Sequence, residues 1–136
     1  MMRVVTDTNC LVASIPLKSK GFWLYLAFKS EAFTWVISNE ILTEYSEKLS
    51  EYHSPETNKI VVEILLAAKN AELAEAYFNY NFIIQDPDSN KFSNLAISTN
   101  ANYLVSNDRH FNIFKNIEFP PLQVVKLDEF KKIMGM

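Results

Sequence analysis

The chain has 136 residues, of which 49% are hydrophobic and 21% are charged, and this is the composition of a globular protein rather than a disordered or fibrous one. Its net charge of −3 excludes a broad basic surface as the means of binding nucleic acid, and its single cysteine, Cys10, excludes an internal disulfide. Two glycines are too few for a glycine-rich phosphate loop. The length is usual for one domain, which we expect to span residues 1–136.

Short β-branched runs alternate with amphipathic segments along the chain. In chain order the predicted elements are a strand at 3–7, a helix from 9, a helix at 22–30, a strand at 33–37, a helix at 38–52 with Ser38 as its N-cap, a helix at 54–70, a helix from about 90, strands at 102–106 and 122–127, and a short helix at 128–134. Residues 71–85 fit either a longer preceding helix or a short strand. The alternation predicts an α/β fold in which helices cover a parallel sheet.

Carboxylates follow the predicted strands or lie near the starts of the predicted helices. These acids are Asp7, Glu44, Asp86, Asp88 and Asp108. In a parallel sheet the carboxyl ends of all strands lie at one edge, and binding sites form there at the point where the strand order reverses. We therefore expect these side chains to face one cleft.

Each acid also has a purely structural interpretation. Asp7 is as consistent with a cap on the following helix as with a site. Asp86 and Asp88 on their own fit a turn and a helix cap better than a site, and Asp108 fits a loop acid. Glu44 is one of several glutamates on its helix, but it is the one nearest the apolar face, roughly 110° from its centre.

Clustered carboxylates repel one another unless a cation occupies the cluster. Oxygen ligands with few histidines suit Mg²⁺ or Mn²⁺. His53 and His110 lie outside any histidine-rich ligand spacing, so the sequence disfavours a zinc site. Cys10 is predicted to be a buried core thiol rather than a nucleophile.

Three stretches, VVTDTNCLV, SNEILTEY and DPDSNKFSNLAISTNANYLVSNDRHF, together resemble the PIN domain family. Within that family they are most similar to the small bacterial toxins of toxin–antitoxin pairs, over about residues 3–130. The resemblance depends on the order and spacing of the motifs rather than on any single one. It implies a three-layer α/β/α sandwich around a parallel sheet and a metal-dependent ribonuclease that uses Mg²⁺ or Mn²⁺.

Matched position by position, Asp7 corresponds to the first acid of the family and Asn9 to the polar residue two positions later. Glu44 corresponds to the second acid, and Ser106 and Asp108 to the hydroxyl and the acid of the last motif. The resemblance thus implies that these acids hold one or two ions, which activate water for in-line attack on an RNA phosphate.

The stretch DPDSNKF departs from the family, which usually reads DPDDNKF with a metal-binding acid second in the DD pair. Ser89 stands at that position and would make a natural N-cap for the next helix. Asp88 or Asp86 could approach the ion instead, directly or through water. The predicted catalytic and metal-binding residues are Asp7, Glu44, Asp88 and Asp108, with polar support from Asn9, Ser89 and Ser106 and possible RNA contacts from Lys18, Lys20, Lys91 and Arg109.

Two other interpretations stay open. Because Ser89 removes a metal-binding charge, the chain could be a weakened or inactive PIN-like domain that binds RNA or protein. A haloacid-dehalogenase-type phosphatase also begins with a strand and an acid, but it needs a second acid where Asn9 stands and therefore ranks lower.

The same resemblance predicts an antitoxin protein as partner and allows a homodimer. The longest apolar run, IVVEILLAA, is too short to cross a bilayer and contains Glu63. The N-terminal MMRVVTD lacks the apolar core of a signal peptide. We therefore expect a cytoplasmic protein with no membrane contact, which also suits a lone reduced cysteine.

Overall fold

The computed structural model describes residues 1–15 and 18–136, and within them a sheet runs through the centre of the molecule. Its strands are β1 (Arg3–Thr6), β2 (Thr34–Ile37), β3 (Ala71–Leu73), β4 (Tyr103–Val105) and β5 (Val124–Val125). All neighbouring strands are parallel, and their order across the sheet is β3-β2-β1-β4-β5. β1 therefore lies in the middle, with β2 on one side and β4 on the other.

Helices connect these strands. They are α1 (Thr8–Ser14), α2 (Phe22–Lys29), α3 (Asn39–Tyr52), α4 (Pro55–Ala67), α5 (Asn90–Ser98) and α6 (Leu127–Ile133), with 3-10 turns at Pro87–Ser89 and Arg109–Asn116. In the part of the chain that the structure describes, no helix has both the length and the apolar character needed to cross a membrane.

Helices cover both faces of the sheet, as the alternating pattern predicts. Consecutive strand residues point to opposite faces, yet Val4 and Val5 are both fully buried, and so are Leu104 and Val105. The connections explain this cover. Crossovers between parallel strands are right-handed. The chain moves across the sheet in one direction from β1 to β3 and in the opposite direction from β3 to β4, so α5 lies on the face opposite to α1–α4. The predicted α/β sandwich with a central parallel sheet is confirmed.

The helix starts follow from local chemistry. The Ser38 hydroxyl accepts a hydrogen bond from the backbone N–H of Ile41 at 3.1 Å, as predicted for an N-cap. Ser54 accepts one from the N–H of Thr57 at 3.0 Å and thus caps α4.

Several predicted boundaries were wrong. Helix α4 ends at Ala67 rather than at residue 70, and the ambiguous stretch 71–85 contributes the short strand β3. The strand predicted at 122–127 contains only Val124–Val125, because the backbone N–H of Lys126 donates to the Glu129 carboxylate and turns the chain into α6. The 3-10 turn at Arg109–Asn116 was not predicted.

The strand order places the switch point between β1 and β4. From β1 the chain proceeds outward through β2 and β3, and then crosses to β4 and β5 on the other side. A crevice opens at such a reversal, outside the carboxyl ends of the two central strands. Asp7 follows β1 directly and Asp108 lies shortly after β4, so both acids border this crevice.

Tyr45 joins α3 to the end of β1 in the core. Its hydroxyl donates to the backbone carbonyl of Thr6 and accepts from Trp35 Nε1 at 3.2 Å. The Tyr45 and Trp35 rings meet edge to face, with centroids 6.3 Å apart. Because Glu44 is the preceding residue, this anchor also sets the position of that carboxylate relative to β1.

Replacing Tyr45 with phenylalanine is expected to lower the free energy of unfolding by about 1–3 kcal/mol. The buried Thr6 carbonyl and Trp35 indole would each lose a hydrogen-bond partner that water cannot replace. Urea unfolding measures the change. The exposed Tyr52 is the matched control, and Tyr52→Phe should leave stability nearly unchanged. Equal effects of the two variants would contradict the anchoring role of Tyr45.

Candidate active site

A cleft lies at the switch point and is lined mainly by polar side chains. The lining residues are Asp7, Thr8, Asn9, Glu44, Lys48, Asp86, Asp88, Ser89, Phe92 and Asp108. They come from the end of β1 and the start of α1, from α3, from the turn before α5 and the first turn of α5, and from the loop after β4. The structure thus brings the acids of these separate segments to one place.

Ser106 links the two acids that follow the central strands. Its hydroxyl donates to Asp7 Oδ2 at 2.7 Å and accepts from the backbone N–H of Asp108 at 3.0 Å. Asp7 is only 7% exposed and makes no side-chain cap for α1, so its carboxylate faces the cleft rather than the helix. Asp108 is held further by the backbone N–H of His110, which donates to Asp108 Oδ1 at 2.9 Å.

Burial sets the electrostatics of Asp7. Loss of solvent raises the pKa of the Asp7 carboxyl above its ordinary value of 3.8, and the Ser106 hydrogen bond opposes this effect. The nearby charges of Asp108 and Glu44 raise the pKa further. A cation in the cleft would remove this cost, because it would compensate the clustered negative charge.

Glu44 enters the cleft from the second turn of α3. Its side chain is 17% exposed, and Thr8 Oγ1 donates to Oε2. Lys91 Nζ lies 2.8 Å from the other oxygen, Oε1. The position of Glu44 at the edge of the apolar face thus aims the carboxylate along the sheet edge instead of into solvent.

Lys91 lies inside the acidic cluster. Its side chain is 6% exposed, and Nζ lies 2.9 Å from Asp88 Oδ1 and 2.8 Å from the Asp88 carbonyl oxygen. Burial alone would lower the pKa of Lys91, but hydrogen bonds to Glu44 and Asp88 outweigh it and raise the pKa. The same hydrogen bond to Lys91 lowers the pKa of Asp88. Lys91 therefore stays charged and neutralises part of the cluster.

Ser89 does not cap α5, contrary to the prediction. It lies in the 3-10 turn with φ −74° and ψ −17°, a helical conformation in which its hydroxyl does not reach the free N–H groups of α5. The hydroxyl donates instead to Asp86 Oδ2 at 2.6 Å. The side chain at the departing position of DPDSNKF is thus bound to a neighbouring acid.

Asp86, Asp108 and His110 form a compact group beside the cleft. One potential ligand atom from each lies within 4.8 Å of the other two. His110 Nδ1 is 2.8 Å from Asp108 Oδ1 and 3.6 Å from Asp86 Oδ2. His110 was not among the predicted site residues, because the sequence has no histidine-rich ligand spacing. The available signal was its position two residues after Asp108.

The residues present fit a hard divalent cation. Asp7, Glu44 and Asp108 supply carboxylate oxygens in one cleft, which is the donor set that Mg²⁺ and Mn²⁺ prefer. His110 Nδ1 is a buried nitrogen that makes no hydrogen bond within the described part of the chain, despite its proximity to Asp108. An atom of this kind is also available to a cation.

The PIN domain profile matches residues 3–110 of the chain, which is most of its length. The chain belongs to the PIN domain family. No curated protein matches it. Among solved structures, this PIN domain is similar to the crystal structure of VapBC2 from Rickettsia felis, which is bound to a DNA fragment from the VapBC2 promoter. That match has a TM-score of 0.61 and 23% identity, and covers 92% of this chain and 98% of the other.

A second similar structure is DNA-bound VapBC from Salmonella typhimurium. Its TM-score is 0.58 at 18% identity, with 93% of this chain and 99% of the other covered. At sequence identities this low, the two structural matches establish a common fold and nothing further. The fold and the family predicted from the motifs are both confirmed.

The remaining predicted residues of this PIN domain differ in how near they lie to the cleft. Asn9 is exposed and lines it. Arg109 is exposed and follows Asp108 directly in the chain, but it is not among the lining residues. Lys18 and Lys20 are exposed in the turn before α2 and are not among its lining residues. Their role in RNA contact stays a prediction.

Cys10 is a core thiol, as predicted. Only 2% of the residue is exposed, and burial raises the pKa of the thiol to about 12. At neutral pH the thiolate needed for nucleophilic chemistry is therefore absent.

Replacing Lys91 with methionine is expected to lower the free energy of unfolding of the metal-free protein by about 1–3 kcal/mol. The change leaves the largely buried Glu44 carboxylate without its positive partner. Adding Mn²⁺ should reduce the loss, because the cation compensates the same charge. Lys48→Met is the control. Lys48 pairs with Glu51 at 3.3 Å in a more exposed position, where solvent screens the pair, so this variant should change stability little. If Mn²⁺ left the loss of stability in Lys91→Met unchanged, this result would contradict the idea that Lys91 and the cation compensate the same negative charge.

Proposed function

We propose that this PIN domain is a divalent-metal-dependent ribonuclease and acts as the toxin of a toxin–antitoxin pair. The observation that carries the proposal is the meeting of Asp7, Glu44 and Asp108, from three separate segments, in one cleft at the switch point of the sheet. Family membership supports a nuclease, and the carboxylates support the metal requirement.

Asp7, Glu44 and Asp108 would hold Mg²⁺ or Mn²⁺ in this proposal, and Asp88 is the fourth acid predicted from the sequence. When bound there, a divalent ion lowers the pKa of a water molecule and stabilises the charge that develops on a phosphate. The carboxylates of the chain orient the ion, and the Ser106 hydroxyl keeps Asp7 and Asp108 at a constant separation.

RNA binding in an acidic protein needs local positive charge. The net charge of −3 gives no general attraction to phosphates, so the contacts must be specific ones near the cleft. Arg109, which is exposed and follows Asp108 directly in the chain, would contact a phosphate that flanks the scissile one. Lys18 and Lys20 would act further from the cleft. Lys91 is buried between carboxylates, so it contributes charge balance within the site.

An antitoxin protein is the proposed partner, with the cytoplasm as the compartment. The two similar structures are both VapBC complexes with DNA, which supports pairing with a second protein. Exposed aromatic side chains at Tyr77 and Phe78 offer apolar surface for such a partner, or for a second copy of the chain.

A second candidate function is RNA or protein binding without cleavage. Two observations favour it: Ser89 occupies the position of a metal-binding acid, and Lys91 already pairs with Glu44 at 2.8 Å. A weakened site of this kind would bind metal poorly and leave RNA intact.

The test is incubation of the purified full chain with a labelled single-stranded RNA, with Mn²⁺, with Mg²⁺ and with EDTA. Metal-dependent cleavage that EDTA abolishes is the expected result. Intact RNA in all conditions, together with RNA retention in a filter-binding assay, would support the binding function instead. A parallel assay with an aryl phosphate separates nuclease from phosphatase chemistry, and no release of phosphate is expected.

A further inference from the structure

We infer that Asp86 and His110 complete the metal site in place of the acid that Ser89 lacks, and that this mixed oxygen and nitrogen site prefers Mn²⁺ to Mg²⁺. The inference rests on the metal requirement of the proposed function. It assigns the fourth metal-binding carboxylate to Asp86 rather than to Asp88, which was predicted from the sequence, and it adds the imidazole of His110 as a ligand.

Asp88 is poorly placed for the fourth position. Its side chain is 78% exposed, and Lys91 Nζ holds Oδ1 at 2.9 Å. To reach an ion in the cleft, Asp88 would have to give up this ion pair. Lys91 in turn would keep Glu44 alone as a partner.

Asp86, unlike Asp88, is held in a position near Asp108 and His110. The Ser89 hydroxyl donates to Asp86 Oδ2 at 2.6 Å, and the same oxygen lies 3.6 Å from His110 Nδ1. Serine at residue 89 thus supplies a donor that orients a neighbouring carboxylate toward the cleft. Without a metal ion to compensate the charge, a carboxylate at residue 89 would repel Asp86 from this position.

His110 presents a nitrogen to the same point. Nδ1 is buried, makes no hydrogen bond in the described chain, and lies 2.8 Å from Asp108 Oδ1. The backbone N–H of His110 donates to that Asp108 oxygen at 2.9 Å, so the residue is held beside the acid. A neutral imidazole nitrogen in such a place is a common metal ligand.

The distances suit a shared ion. Ligand atoms about 2 Å from a small divalent ion lie roughly 3–4 Å from one another. The ligand atoms of Asp86, Asp108 and His110 are all within 4.8 Å, so side-chain shifts of under about 1 Å would bring them to one ion. Asp7 is linked to Asp108 through Ser106 and lines the same cleft, outside this group of three ligand atoms.

The donor set determines the metal preference. Oxygen-only sites suit Mg²⁺, whereas imidazole nitrogen suits transition metals, and Mn²⁺ accepts both carboxylate and imidazole. We therefore expect Mn²⁺ to bind at least about 10-fold more tightly than Mg²⁺, and we expect this ratio to depend on His110.

Pulsed electron paramagnetic resonance of Mn²⁺ bound to the full chain tests the imidazole directly. The spectrum should show nitrogen hyperfine modulation, which His110→Asn removes. His53, the other histidine of the chain, is the matched control. Its Nε2 lies 3.0 Å from the Val12 carbonyl oxygen, away from the cleft, and His53→Asn should keep the modulation. Bound Mn²⁺ without nitrogen modulation, or modulation that survives in His110→Asn, would overturn the inference.

Calorimetric titration with Mn²⁺ separates Asp86 from Asp88. Asp86→Asn should weaken Mn²⁺ binding about 10-fold or more, and Asp88→Asn should have a clearly smaller effect. The reverse order would overturn the assignment. RNA cleavage with Mn²⁺ but no nitrogen modulation would leave the ribonuclease proposal intact and refute only this inference, whereas no Mn²⁺ binding and no cleavage would refute both.

Discussion

Replacing Asp7 with asparagine is expected to reduce Mn²⁺-dependent RNA cleavage by about 100-fold or more. Asp7 is the most buried acid of the cleft and is linked to Asp108 through Ser106. An asparagine keeps the shape and can still accept the Ser106 hydrogen bond, but it loses the charge that a divalent ion requires. The measurement is the initial rate of cleavage of a labelled RNA at saturating Mn²⁺.

The same variant should stabilise the metal-free protein at neutral pH by on the order of 1 kcal/mol. Burial raises the pKa of Asp7 above 3.8, so the folded state favours the protonated carboxyl. The contribution of Asp7 to stability is fully present below the pKa that its carboxyl has in the unfolded chain. It is lost as pH rises through the higher pKa of the folded protein. Asparagine stays neutral and removes that loss.

Urea unfolding in EDTA over a range of pH measures this effect. Wild-type stability should fall as pH rises above about 4 relative to Asp7→Asn, and the two curves should converge at lower pH. Glu63→Gln, which removes an exposed carboxylate on α4, is the control and should change neither activity nor this pH profile. Loss of activity together with loss of stability in Asp7→Asn would point to misfolding and would contradict the assigned role.

Replacing Ser89 with aspartate should strengthen metal binding, whereas Asp7→Asn should weaken it. The new carboxylate would lie at the position where the family usually has an acid, and Mn²⁺ affinity should rise about 10-fold or more. Without metal, the variant should be less stable by about 1–3 kcal/mol. The reason is that Ser89 is 8% exposed and its hydroxyl lies 2.6 Å from Asp86 Oδ2, so two carboxylates would meet there.

Ser89→Asn separates charge from shape in this experiment. It adds a side chain of nearly the same size without the charge, so it should not raise Mn²⁺ affinity. Stability is measured by urea unfolding with and without Mn²⁺, and affinity by calorimetry. Cleavage by Ser89→Asp alone would mean that the natural chain is a silenced PIN nuclease and would favour the binding function. Equal Mn²⁺ affinity in both variants would show that residue 89 does not reach the ion.

The sequence by itself determined the fold class, the family and the segments that supply the site. Strands and helices follow from the local periodicity of apolar residues, and caps such as Ser38 depend on neighbours within one turn. A parallel α/β sheet then requires that Asp7 and Asp108, which follow its two central strands, lie at the same edge. These features are local or topological, and so a single sequence contains them.

Only the tertiary structure decided which side chains meet inside the cleft. Lys91 was predicted to contact RNA, yet it is buried between Glu44 and Asp88. Ser89 was predicted to cap α5, but the 3-10 turn directs its hydroxyl to Asp86. His110 joins the acids, although only its position two residues after Asp108 pointed to it. Such contacts depend on ångström distances between side chains from remote segments and on the order of 1 kcal/mol in each interaction. Residue patterns along the chain specify neither quantity.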